Sequence, residues 1–278
     1  MDIITVPTPV VSAEWLVDHA ADIGTSITVL CASMGNPAKS YRGIPGAWLA
    51  DIDNDFSDPS SDLPHTAPAD LQGLFESYGI STDTAVVVYD RWGIMASPRV
   101  WWLARAAGLN NVAVLDGGLP AWEAAGGAIG EIRSHASAAP RRGNINTAER
   151  DLLTDVRGVE RALARSGSAV VDARSAGRFA GVEGEPREGL LGGHIPGSAN
   201  LPFTQLLQDG MLRPPEQLRE EFQRAVGEAT QLTTTCGSGV TACILALGAT
   251  VAGYTEIQVY DGSWSEWGRP DNRHPIAP

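Results

Sequence analysis

Short apolar runs rich in β-branched residues alternate with helix-like segments along the chain. SITVLCAS (26–33) and SAVVDARS (168–175) have the pattern of short buried strands. VVVYDRWGIMASPRVWWLARAAGLNNVAVLDGGLPAWEAAG (86–126) and LTTTCGSGVTACILALGATVAGYTEIQVYDGSWSEWG (232–268) each run strand, loop, helix, strand and Asp-Gly turn, with a Trp six residues after the Asp. RGIPGAWLADI (42–52) matches GHIPGSANLPF (193–203) further upstream. Each half therefore has the order strand, Ile-Pro-Gly turn, helix, strand, Gly-containing loop, helix, strand, Asp-Gly turn. That alternation predicts an α/β protein of two tandem domains, each a mainly parallel sheet flanked by helices. The expected boundaries are 1–131 for the first domain, 132–150 for a linker and 151–278 for the second. Sheets of this kind place ligands at the carboxyl ends of their strands.

The copies differ at that position. Aligned without gaps, Cys236 falls opposite Asp90, Gly237 opposite Arg91 and Ser238 opposite Trp92. One loop has a thiol among small residues and the other a carboxylate among bulky ones. The expectation is that only the second domain does chemistry there and that the first is non-catalytic.

Length and composition narrow the setting. A chain of 278 residues, 43% apolar and 19% charged, suits two soluble domains. Its apolar stretches are too short for a membrane span. The start, MDIITVPTPVVSAEWL, has no basic segment and does not resemble a secretory or transit peptide. A formal charge of −13 argues against nucleic acid and anionic membranes as partners, and means that an anionic substrate needs local positive charge. Three cysteines (Cys31, Cys236 and Cys243), with no Cys-x-x-Cys or Cys/His cluster, indicate neither a disulfide framework nor a metal site. A reducing, cytoplasmic setting fits best. No cofactor is indicated. Cys31 and Cys243 read as small core residues, and Trp101, Trp102, Trp122, Trp264 and Trp267 as packing.

A thiol at a strand end, followed by Gly237, Gly239 and a helix, sits in a nest of backbone N–H groups that binds anions and favours a thiolate. Phosphatases with this layout need an Arg six residues after the Cys to clamp phosphate, and here that residue is Ala242. A loop whose ligands are amides and the hydroxyls of Ser238 and Thr241 suits a persulfide instead.

The loop CGSGVT (236–241), GHIPGS (193–198), DARSAGRFAGVEGEPREG (172–189), SPRVWW (97–102) and DGSWSEWG (261–268) occur in the order found in two-domain rhodanese-family sulfurtransferases. The chain resembles that family over nearly its whole length, and within it is most similar to the 3-mercaptopyruvate sulfurtransferases. The resemblance implies a ping-pong reaction through a Cys236 persulfide, with pyruvate released from mercaptopyruvate, or sulfite if thiosulfate is the donor. The acceptor would be cyanide, a small thiol or reduced thioredoxin. Thiosulfate enzymes of the family resemble Cys-Arg-Lys-Gly-Val-Thr in this loop, so Gly237 and Ser238 favour mercaptopyruvate. A thiosulfate:cyanide sulfurtransferase and a persulfide carrier with little turnover are the alternatives.

The resemblance also assigns residues. Cys236, Ser238 and Thr241 would be catalytic, the hydroxyls bonding the donor ketone or relaying a proton to the departing enolate. Arg178 and Arg187 stand at the family's substrate-binding arginines, and Gly237, Gly239 and Val240 of the loop would bind substrate with them. His65 in LPHTAP matches a histidine that the family's first domain points towards the substrate, although Thr66 follows it where the family usually has Met. Asp172 and Arg174 would form a structural ion pair near the loop. Asp116 and Asp261 are expected to cap strand-to-helix turns. A monomer is expected.

Overall fold

The computed structural model describes residues 3–35, 41–134 and 142–278. The chain divides into two compact units. The first comprises Met1–Pro59, Ala67–Arg150 and Asp209–Leu212, and the second Ser60–Thr66, Asp151–Gln208 and Arg213–Pro278.

In the first unit the strands β1 (Val10–Val11), β2 (Ile27–Ser33), β3 (Trp48–Asp51), β4 (Ala85–Tyr89) and β5 (Val112–Leu115) form one sheet in the order β1-β5-β4-β2-β3. All its pairings are parallel. Such strands are buried on both faces, which is why β4 is a continuous apolar run with every residue buried. Helices α1 (Ala13–Asp18), α2 (Leu71–Ser77), α3 (Ser97–Ala106) and α4 (Gly118–Ala124) complete the unit. Ser12 caps α1 through Trp15 N, and Asp70 caps α2 through Gly73 N.

The second unit repeats the plan. Strands β6 (Leu153–Thr154), β7 (Ser168–Asp172), β8 (Ala199–Asn200), β9 (Gln231–Thr235) and β10 (Glu256–Tyr260) lie in the order β6-β10-β9-β7-β8, again all parallel. Its helices are α5 (Val156–Ala164), α6 (Ala176–Phe179), α7 (Pro215–Val226), α8 (Ala242–Ala252) and α9 (Ser263–Trp267). The central helix α8 is almost wholly buried and apolar, as a helix leaning on the middle of a parallel sheet must be.

The five-stranded sheets extend the three-strand pattern legible in each half. The segment after each Ile-Pro-Gly turn enters a short edge strand, β3 or β8, before its helix begins. Of the expected linker, residues 135–141 lie outside the described residues. Ile132 N donates to Tyr41 O at 2.9 Å, Arg133 N to Ala47 O at 2.7 Å and Gly143 N to Glu76 O at 2.8 Å, so these flanks run along the first unit.

Each Asp of the Asp-Gly turns lies one residue before the N-cap of the helix that follows. The N-caps of α4 and α9 are Gly117 and Gly262, without side-chain bonds. The Asp116 carboxylate accepts from Gly117 N within its turn and from Leu212 N at 2.9 Å. The five tryptophans are buried core, as is Cys31 on β2. No helix among the described residues is long and apolar enough to cross a membrane.

Candidate active site

Cys236 follows the last residue of β9, at the carboxyl edge of the second sheet, and α8 begins six residues later. The connecting loop is clamped from below by the first turn of α9. Ser263 Oγ accepts from Cys236 N at 3.2 Å and Gly239 N at 3.1 Å, and donates to Tyr260 O at 2.8 Å. Trp264 N donates to Cys236 O and Ser265 N to Gly237 O, and Ser265 Oγ adds a second bond to Gly237 O at 2.6 Å. Cys243, the second residue of α8, donates its thiol to Gly239 O at 3.2 Å and is fully buried, which fits a core residue that also ties down the loop.

The amide ring is therefore narrower than the loop sequence suggests, because two of its donors are turned to Ser263. Among the described residues no acceptor is bonded to the amides of Ser238, Thr241 and Ala242. The first unit shows which way such amides face. The equivalent residues Trp92, Met95 and Ala96 donate their amides to the Asp90 carboxylate at 3.0, 2.8 and 2.9 Å, and Ser97 adds its amide and hydroxyl at 3.0 and 2.8 Å. Asp90 is fully buried. In one copy the loop is an anion nest filled by its own carboxylate. In the other, the residue at its base is a thiol, 2% exposed. Gly237 and Thr241 are the more open members of the second loop and Val240 is buried.

Two guanidinium groups stand over Gly237. A Cβ at that position would meet Arg178 Nη2 at 3.0 Å and Arg187 Nη1 at 3.9 Å, so glycine is what lets the cations approach the loop. Arg178, on α6, is oriented by Glu185, with Nε to Oε1 at 3.2 Å and Nη2 to Oε2 at 2.5 Å. Glu185 also accepts from Arg174 Nη1 at 2.8 Å. Arg174 is completely buried. It is held by Asp172 at 2.6 Å and by Gly193 O at 2.9 Å, and its guanidinium lies 4.2 Å from the Trp264 ring centroid. Asp172 and Arg174 thus form the ion pair expected near the loop.

His65 lies in the segment that packs with the second unit. Its Nδ1 is 3.0 Å from Ser238 Oγ. Its backbone is left-handed, φ 59°, a conformation uncommon for a side-chain-bearing residue and concentrated where geometry serves function. Thr66 closes this turn. Its hydroxyl donates to Leu63 O at 3.2 Å and lies 2.7 Å from Ser61 Oγ. A cavity of about 640 Å³ opens beside Arg187, against Leu63, Pro64, Ser265 and Arg269. A cavity of about 430 Å³, lined by Arg161, Arg165 and Gln231, sits at the amino ends of the strands, on the far edge from Cys236.

The structure thus brings Cys236, Ser238, His65, Arg178 and Arg187 to one end of one sheet. Gly239 is bonded into the frame, and the Thr241 hydroxyl has no bond among the described residues. Sequence reasoning missed Ser263, Ser265 and Glu185. The Asp-Gly-Ser segment was visible as a repeat, but its signal was that of a turn. Among the described residues no group of three or more His, Cys, Asp or Glu is arranged to hold a metal.

A twice-repeated parallel sheet, with a cysteine loop lacking the phosphatase arginine at the carboxyl edge of its second copy, is the arrangement expected of a sulfur-handling tandem domain. The chain belongs to the Rhodanese-like domain family, which matches residues 18–125 and 155–270. It is 38% identical over 276 residues to the 3-mercaptopyruvate sulfurtransferase of Homo sapiens, covering 92% of this chain and 91% of that one. It is 40% identical over 273 residues to a thiosulfate sulfurtransferase of Cricetulus griseus, with 92% and 91% covered. The crystal structure of an Escherichia coli 3-mercaptopyruvate sulfotransferase of rhodanese fold superimposes with a TM-score of 0.77 at 31% identity, covering 93% of this chain and 100% of that one.

Proposed function

We propose that this chain is a sulfurtransferase that moves sulfur from 3-mercaptopyruvate to a thiol or cyanide through a persulfide on Cys236, releasing pyruvate. One observation carries the reading. Three of the four amide positions that grip a carboxylate in the first unit, those now held by Ser238, Thr241 and Ala242, have no acceptor among the described residues around Cys236, and two guanidiniums stand over Gly237 beside them.

In the first half-reaction the donor carboxylate is held by Arg187 and Arg178. The Cys236 thiol gives its proton to the Ser238–His65 pair, and the thiolate attacks the donor sulfur. The sulfur–sulfur bond forms as the donor carbon–sulfur bond breaks, and the electron pair of the broken bond passes into the enolate of pyruvate. The proton held by Ser238 and His65 returns to the enolate carbon. The amides of Ser238, Thr241 and Ala242 then face the persulfide, as those of Trp92, Met95 and Ala96 face Asp90. In the second half-reaction an acceptor thiolate attacks the outer sulfur. The sulfur–sulfur bond breaks, its electron pair returns to Cys236, and a persulfide of the acceptor leaves. With cyanide the product is thiocyanate. The cavity beside Arg187 gives room for a small thiol or for the active loop of thioredoxin.

The test is pyruvate release from mercaptopyruvate by the purified protein. The wild type is expected to turn over and to gain one sulfur atom at Cys236 by mass spectrometry. Cys236→Ser is expected to do neither. The 40% identity to a thiosulfate sulfurtransferase supports the competing reading. A kcat/KM higher for thiosulfate with cyanide than for mercaptopyruvate would establish it instead.

A further inference from the structure

Whole-chain identity does not separate the two donor classes, since relatives named for each stand at 38% and 40%. Mercaptopyruvate presents one carboxylate, whereas thiosulfate is a dianion. The charge the protein places over the loop is therefore the physical quantity that should divide them.

Three guanidiniums lie in or above this site (Arg174, Arg178 and Arg187) against two buried carboxylates, Asp172 and Glu185. Arg174 and Asp172 are paired with each other and buried. Glu185, 2% exposed, is shared between Arg174 and Arg178, and Arg178 itself is 22% exposed. Arg187 is without an ion pair among the described residues. These five groups together carry a single net positive charge. The side-chain atoms nearest Gly237 belong to Arg178 and Arg187 and not to Glu185. Glu185 acts on the donor through Arg178, fixing the guanidinium plane with two bonds and offsetting its charge.

We propose that Glu185 is the positioning residue that sets donor charge, so that the loop favours a monoanionic keto-thiol over a dianionic sulfur donor. This rests on the sulfur-transfer reading above. A buried carboxylate beside a cation is poorly screened by salt, so its effect persists at physiological ionic strength. Without it, the site carries one more positive charge, and the gain is larger for the dianion.

The experiment measures kcat/KM for both donors in wild type, Glu185→Gln and Arg178→Gln. Glu185→Gln is expected to move the thiosulfate-to-mercaptopyruvate ratio upward by about tenfold, equal to about 1.4 kcal/mol, chiefly through KM for thiosulfate. Arg178→Gln is expected to move the ratio the other way. Because Arg178 is partly exposed, this second variant keeps the test alive if Glu185→Gln does not fold. A fall in both donors by one common factor, with the ratio unmoved in either variant, would make Glu185 a strut and overturn the proposal. A parallel assay needs no turnover: protection of Cys236 from iodoacetamide by sulfate and by pyruvate. Glu185→Gln should be protected by several-fold less sulfate than wild type, with the pyruvate requirement little changed. Equal shifts for both anions count against Glu185. If the wild type released no pyruvate, the mercaptopyruvate reading would fail while this assay still decided the charge argument.

Discussion

The Ser263 hydroxyl lies 3.2 Å from the backbone nitrogen of Cys236 and accepts its hydrogen bond. It accepts from Gly239 N as well, so one small side chain joins both limbs of the cysteine loop. Ser263 does so from a left-handed backbone, φ 49°, where the first unit has Gly118 at φ 53°. There a Cβ would come within 2.4 Å of Asp90 O, so the first copy admits only glycine, whereas the second uses the space for a hydroxyl. Ser263→Gly removes the acceptor and relieves the backbone, and Ser263→Ala removes the acceptor and keeps the strain. Each leaves buried donors unmet, at about 1–3 kcal/mol, with Ala about 1 kcal/mol less stable than Gly. Both variants are expected to lose at least about tenfold in kcat with KM little changed, a difference of ~1.4 kcal/mol in barrier. Urea unfolding and pyruvate-release kinetics check the two effects, and a Ser263→Gly enzyme with wild-type kcat would show that the clamp is structural only.

Asp90 accepts four amides and a hydroxyl in a fully buried nest. Asp90→Ala would strand all five donors in a closed space. The expected loss is at least about 4 kcal/mol, since single bonds to charged groups contribute roughly 1.5–3 kcal/mol. The residual folded enzyme should keep its persulfide chemistry, because Cys236 belongs to the other copy. Urea denaturation measures the first effect and mass spectrometry of Cys236 after donor treatment the second. A variant as stable as wild type would mean that the carboxylate is not what organises that loop.

The central strands, the buried helix α8 and the two loops were legible in the sequence because long apolar runs and glycine punctuation carry strong local signals. The edge strands Val10–Val11, Leu153–Thr154 and Ala199–Asn200 are two residues each, too short for a period to register. That Ser60–Thr66 packs with the second unit has no local signal, and only the family resemblance pointed His65 towards the substrate. Chain order places His65 in the first half, and only the fold brings it to Ser238, 173 residues away. Glu185 was hidden among charged residues in EGEPREG, where nothing local separates a buried carboxylate from a solvated one. Asp116 was expected to cap its strand-to-helix turn, and beside Gly117 N in that turn it has a partner no local signal gives, Leu212 N, 96 residues distant.

Asp116 gives a prediction about pH. Burial raises its carboxyl above the ordinary aspartate value, opposed by bonds from Leu212 N and Gly117 N. An acid whose folded pKa is raised holds its proton in the native state after the unfolded chain has released it. Its contribution to stability is thus fully present below the unfolded value of 3.8 and is lost as pH rises through the folded value. Asp116→Asn keeps an oxygen acceptor for Leu212 and removes the titration. Relative to wild type, the variant should gain stability between about pH 4 and pH 7, measured as the difference in urea midpoint at each end. A difference that shrinks with rising pH would reverse the sign of this argument.

The last prediction concerns His65 and Ser238, 3.0 Å apart. If they pass one proton as a unit, removing either breaks the whole path. Ser238→Ala and His65→Ala should each lower kcat by about 10²–10⁴, the usual weight of a positioned acid–base group. The double variant should lose little more than the worse single one, as groups acting together are strongly non-additive. Arg187→Ala supplies the contrast. It removes a carboxylate ligand that ground state and transition state share, so it should raise KM with kcat nearly kept. Steady-state kinetics on the four variants decide the matter. Losses that multiply between His65 and Ser238 would mean that the two side chains act on the donor separately, and the proton would need another route to the pyruvate carbon.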